Sequence, residues 1–123
     1  MTTKHGTQTL GSAVAAALLL ALASAPARAE TPSYVGTWAS DIAQCKVEQD
    51  RPEAPLVMQE KRYDQHETHC TFKSISGENN EWDVKAGCQI EGSDEPYDFT
   101  LTVSGNTLTV TDEFGARDLL RCR

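Results

Sequence analysis

At 123 residues with a formal net charge of −7, the chain is short and acidic. That length suits one small domain, and that charge disfavours nucleic acid and anionic lipid as partners. Four cysteines, all from Cys45 onward, point to an oxidising compartment.

Lys4 and His5 precede an apolar run from Leu10 to Ala23, and Ala27-Arg28-Ala29 follows as a small-x-small site. This is the pattern of a secretory signal peptide over residues 1–29, with cleavage expected after Ala29. The apolar run is about 14 residues, short of what ~30 Å of hydrocarbon needs, so no membrane span is expected in the mature chain. No cysteine lies near the cleavage site, so lipoprotein processing is not expected. Residues 30–123 then form a single small domain with 9 basic residues against 18 acidic ones, a net charge of −9. Leu, Ile, Val and Phe supply 17 of these 94 residues. Such a core is thin, so disulfides are expected to add to it.

Glu30 to Ser33 is a short leader, and Tyr34 to Ala39 reads as the first strand, with Tyr34, Gly36 and Trp38 on one face. Trp38 is expected in the core at one end of the sheet. Ser40-Asp41 is placed to cap a helical turn toward Cys45. Lys46 to Pro55, charged and holding Pro52 and Pro55, reads as an exposed loop. A second strand is expected to begin at Leu56 and run through Gln59 to Tyr63. Tyr63 to His69 is the most functional-looking stretch, holding Asp64, His66, Glu67 and His69. His66 and His69 would point to opposite faces of a strand, so a solvated turn is the plainer reading.

Cys70 to Cys88 reads as a hairpin around Gly77-Glu78-Asn79-Asn80-Glu81. Trp82, Val84, Ala86, Cys88 and Ile90 alternate with polar residues, which puts one face in the core. A hairpin centred on Asn79 opposes Cys70 to Cys88, Phe72 to Ala86, Ser74 to Val84 and Ser76 to Trp82. The same register opposes Lys73 to Lys85, which is mildly unfavourable. Directly opposed residues lie ~4.5–5.5 Å apart at Cα, which suits a disulfide. Gly92 to Pro96 reads as a turn. Phe99, Leu101 and Val103, then Leu108 and Val110, alternate with polar residues around Ser104-Gly105-Asn106, a second hairpin. Asp112 to Ala116 turns again, and Arg117 to Cys122 makes the last strand.

The fold expected is all-β: an antiparallel meander of six to seven strands, curled into a barrel or half-barrel. Four cysteines allow three connectivities. The hairpin register favours Cys70–Cys88, and closure of the sheet favours Cys45–Cys122. No C-x-x-C pair supports zinc, and no cofactor is expected.

The Gly36-Thr37-Trp38 opening resembles the Gly-x-Trp start of lipocalin-type barrels, although the chain is shorter than a full lipocalin and lacks the downstream lipocalin motifs. The fuller pattern is Gly36 to Asp41 with Cys45, then Cys70 and Cys88, then Arg121-Cys122. It resembles small uncharacterised secreted proteins of proteobacteria. That resemblance implies a periplasmic or secreted address and no activity.

Catalytic patterns are missing: there is no Gly-x-Ser-x-Gly elbow, no phosphate loop, no His-Glu-x-x-His helix and no nucleotide fingerprint. The acidic pairs Asp94-Glu95 and Asp112-Glu113 fall in expected turns. The chain is therefore expected to be a non-enzymatic binding or inhibitor-like module for a protein or small-molecule ligand. Its expected contacts are the Lys46–Pro55 and Gly92–Pro96 loops. The alternative is a small metal carrier or hydrolase using the Asp64–His69 segment.

Overall fold

Strands with one apolar face can hide that face and remove their edges together only by closing on themselves. A computed structural model describes residues 2–6, 11–12, 16–17 and 30–123. It shows a closed antiparallel barrel in simple sequence order. The expected signal peptide and its cleavage site lie outside the described residues, apart from those short stretches. Among the described residues, no helix is long and apolar enough to cross a membrane.

Eight strands build the barrel: β1 (Gly36–Ala39), β2 (Leu56–Met58), β3 (Arg62–Gln65), β4 (Thr68–Glu78), β5 (Glu81–Ile90), β6 (Ser93–Ser104), β7 (Thr107–Asp112) and β8 (Gly115–Arg121). The eighth arises because Leu56 to Tyr63 is two strands rather than one. The chain turns at Gln59, whose N–H donates to the carbonyl of Arg62, and Met58 comes to face Tyr63. Both apolar side chains are buried. The turn carries only Gln59, Glu60 and Lys61, with no Gly or Pro to mark it.

The central hairpin turns tightly at Asn79 and Asn80, both with positive φ, as a two-residue turn between twisted strands requires. Cys70 faces Cys88 and Phe72 faces Ala86, as the alternation predicts. Beyond Phe72 the register shifts by one, so Ser74 faces Lys85 and Ile75 faces Val84. The expected Ser74–Val84 and Ser76–Trp82 pairs are therefore corrected. Lys73 is the extra residue of a β-bulge, and the unfavourable Lys73–Lys85 opposition disappears with it. Lys85 instead pairs with Asp98 at 3.4 Å. Inside the bend, Gly77 is required: a Cβ there would stand 2.0 Å from the carbonyl oxygen of Glu81.

Closure joins β1 to β8, with Trp38 opposite Arg121 and Ala39 opposite Leu120. Trp38 is completely buried, and its indole N–H donates to the carbonyl of Tyr34 at 2.9 Å. The Arg121 guanidinium lies 4.1 Å above the indole ring and donates to the carbonyls of Ser33 and Val35. Tyr34 in turn donates its hydroxyl to the carbonyl of Glu60 and packs edge-on against Trp82. The segment before β1 thus plugs one end of the barrel.

After β1, Asp41 caps a short 3-10 helix (Ile42–Lys46), accepting the Ala43 N–H at 2.8 Å. Cys45 on that helix bonds to Cys122, 77 positions away, and Cys70 bonds to Cys88 across the β4–β5 pair. One disulfide ties the two ends of the domain and the other sits in the wall.

Candidate functional site

Aromatic rings fill the interior. Phe99 makes edge-to-face contacts with Tyr63 and Phe72, each at 5.8 Å, and Tyr97 packs on Phe99 at 4.8 Å. Eight-stranded barrels either pack their interior with side chains or hold one small ligand; this one packs it. Open features are therefore on the outside and at the rim.

The rim opens where two pairings end at different places. β6 pairs with β5 down to Ser93, but with β7 only as far as Thr100. Ser93 to Pro96, expected as a turn, thus belongs to a strand that runs past the end of its β7 neighbour, and the turn itself is Glu91-Gly92. A long β5–β6 ladder outweighs the turn preference of Asp94, Glu95 and Pro96. An open groove of about 790 Å³ crosses the outer face beside it, lined by Ser74 and Ser76 of β4, Asp83 to Lys85 of β5, Pro96 to Thr100 of β6 and Thr111 to Glu113 at the end of β7.

Tyr97 and Asp112 bridge this gap. The Tyr97 hydroxyl donates to Asp112 Oδ2 at 2.5 Å, and Asp112 Oδ1 accepts the Phe114 N–H at 2.9 Å. Burial, then the bond to an ionised acceptor, pushes the Tyr97 phenol well above its ordinary value. The Tyr97 bond and then the Phe114 N–H hold Asp112 below the usual carboxylate range. Burial pushes Tyr63 up to about 12, opposed by nearby Arg117. Both phenols are neutral at physiological pH, so Tyr97 acts as a donor and Tyr63 as buried packing rather than either as a base. Asp112 also fixes the β7–β8 turn, which holds Phe114 90% exposed beside Tyr97 and Arg117. Tyr and Arg are among the side chains that most often anchor protein contacts, and Phe is enriched at interfaces with the other aromatics.

The residues singled out from the sequence divide into two pairs. Asp64 faces His69 across β3–β4, with His69 Nδ1 2.6 Å from Asp64 Oδ1. Arg62 also donates two bonds to Asp64. Burial alone would raise the Asp64 carboxyl, but the bonds from Arg62 and His69 prevail and hold it low. His66 sits in the β3–β4 turn with φ 51°; its backbone N–H donates to Gln49, and its ring lies 3.8 Å from Glu67. Gln49 also donates to the Pro55 carbonyl, so the expected Lys46–Pro55 loop is pinned to this turn. Arg62, His69, Lys73 and Gly87 line a second open groove on the outer wall, which runs on to Asp94, Glu95 and Pro96 of β6. Among the described residues, no three His, Cys, Asp or Glu side chains are placed to hold a metal ion.

The sequence points to no role for Tyr97, Phe114 or Arg117, and it places Asp112 in a solvated turn, yet a signal is present. Tyr97 is in phase with Phe99, Leu101 and Val103, and Asp112 with Leu108 and Val110. A tyrosine and a carboxylate at inward positions of neighbouring strands have reason to meet.

Fold and rim together define an up-and-down barrel with a packed interior and one flared end. Scans against known protein families, curated proteins and solved structures return no match for this chain.

Proposed function

We propose that the chain is an exported, non-enzymatic binding module, inhibitor-like in design, that contacts a protein or small-molecule partner through its flared end. One observation carries this reading: the interior is filled by its own aromatics, while Phe114 is held 90% exposed on a turn fixed by Asp112. A rigid turn loses little conformational entropy on binding, so more of the contact energy becomes affinity. The acidity of residues 30–123 and the two disulfides suit a small stapled domain working outside the reducing cytosol.

A metal-carrier or hydrolase reading of Asp64 and His69 draws on one feature. Asp64 occupies Nδ1 of His69, which leaves Nε2 for a metal or a proton. Against it, the pair stands on the open outer wall, where water screens and competes.

Tagged protein used as bait on periplasmic extract separates the two. We expect a partner retained by the wild type and by His69→Ala, and lost with Phe114→Ala. Retention unaffected by Phe114→Ala but abolished by His69→Ala would overturn the proposal in favour of the second reading.

A further inference from the structure

The register of β6 leaves part of a sheet edge without a neighbour. Ser93 to Asp98 pair with β5 on one side, and among the described residues no strand pairs with them on the other. Six residues of free edge span roughly 20 Å, enough for an added strand of ordinary length. Pro96 to Asp98 of this edge border an open groove that also takes in outer-face residues of β4 and β5 and the end of β7. An incoming strand would continue the line of β7 past the point where β7 turns back.

Pro96 fits an edge position, since it has no N–H to give a further strand there. It removes one donor and leaves the other backbone groups of the edge. The side chains choose the sign of the visitor. Asp94, Glu95 and Asp98 lie on the edge strand, and Asp112 and Glu113 line the same groove as Asp98. The cations on this side are Lys85, paired with Asp98; Arg117, near Tyr97 and Asp112; and Arg62 and Lys73, which share a groove with Asp94 and Glu95, Arg62 being already paired with Asp64. The balance is acidic. A second copy would bring the same carboxylates and be repelled, which is how exposed edges avoid self-pairing.

We propose that Ser93–Asp98 of β6 accepts an extended, lysine- or arginine-bearing segment of a partner protein as an additional β-strand. Backbone bonds to the edge would hold the segment, and the carboxylates would select for alternating basic side chains. Phe114, which shares a cleft with Tyr97, stands ready to cover an apolar residue of the same segment. This deepens the binding-module reading and rests on it.

The test uses ¹⁵N-labelled, disulfide-bonded protein and three acetylated, amidated hexapeptides. One alternates Val and Lys, one alternates Val and Glu, and the third is the Val-Lys peptide with alternate backbone nitrogens methylated. We expect the Val-Lys peptide to shift amides in β6 from Ser93 to Phe99 and around Asp112 to Phe114. Its affinity should fall at least tenfold between about 50 and 500 mM NaCl, and the methylated and Val-Glu peptides should bind at least tenfold more weakly. Glu95→Lys with Asp98→Lys, both on the exposed surface, should reverse the preference between Lys and Glu peptides. Absence of shifts, shifts confined to β3 and β4, or equal binding of the methylated peptide would each overturn the edge proposal. If the edge is silent while Phe114→Ala still abolishes partner retention, the binding module stands and only its edge is lost. If both fail, the module reading falls as well.

Discussion

Tyr97 and Asp112 sit at the outer ends of two period-two runs, and their bond links strands where backbone pairing has stopped. Tyr97→Phe keeps the ring and removes the donor, so it should lower stability by about 1 kcal/mol and loosen the Phe114 turn. Denaturant unfolding checks the first effect, and amide exchange at Phe114 the second. The titration signs follow from the folded environment. Asp112 and Asp64 are held below their ordinary value, so they favour the folded state fully above about pH 4. That advantage disappears as the pH falls through their lower folded values. Melting temperature should therefore drop between pH 4 and 2, less steeply in Asp112→Asn. The three tyrosines behave in the opposite sense, because burial raises each phenol. Their stabilisation is complete below about pH 10 and is lost as the pH rises. Phenolate absorbance should stay low at pH 10 and appear together with unfolding. Stepwise ionisation of all three in the folded protein would contradict the packing of Tyr63 and Tyr97.

Among the elements, the β4–β5 hairpin shows what alternation conveys and where it stops. Cys70 faces Cys88 because both lie in phase with apolar neighbours, and that phase is written in Phe72, Val84 and Ala86. The bulge at Lys73 was hidden because a one-residue slip depends on turn geometry, and the Gly77–Glu81 stretch allows more than one centre. β3 was hidden for the opposite reason: its turn is polar but has no breaker residue. The flared end was hidden because its existence depends on two ladders ending at different places, a tertiary property that no local pattern carries. Trp38, by contrast, was legible as a core plug because it is large, apolar and in phase with Tyr34 and Gly36. Gly77→Ala places a Cβ against backbone at 2.0 Å, so it should cost about 1–3 kcal/mol through strain at the hairpin bend. A wild-type denaturation midpoint for that variant would show that the bend is not as tight as described. Arg121→Ala removes the cation over Trp38 and the bonds to Ser33 and Val35, and should cost about 2 kcal/mol.

At the scale of the molecule, the two disulfides and the closed barrel compensate for a thin core. In the loop-entropy picture, Cys45–Cys122 spans 77 positions and Cys70–Cys88 spans 18. Losing the longer should cost about 1 kcal/mol more than losing the shorter. Reduction of both should leave the domain largely unfolded at 37 °C. The proposed export has its own readout: mass spectrometry of exported protein should find Glu30 as the first residue. Everything functional that we propose depends on contact being made outside a packed interior, at the flared end. A photo-crosslinking amino acid placed in turn at Phe114, Glu95, Asn106 and His69, in cells that export the protein, tests this most directly. We expect one partner adduct at Phe114 and Glu95 and none at Asn106, with His69, which lines the same outer groove as Glu95, reporting how far the contact extends. Adducts confined to His69, or to Asn106 at the opposite end, would contradict it.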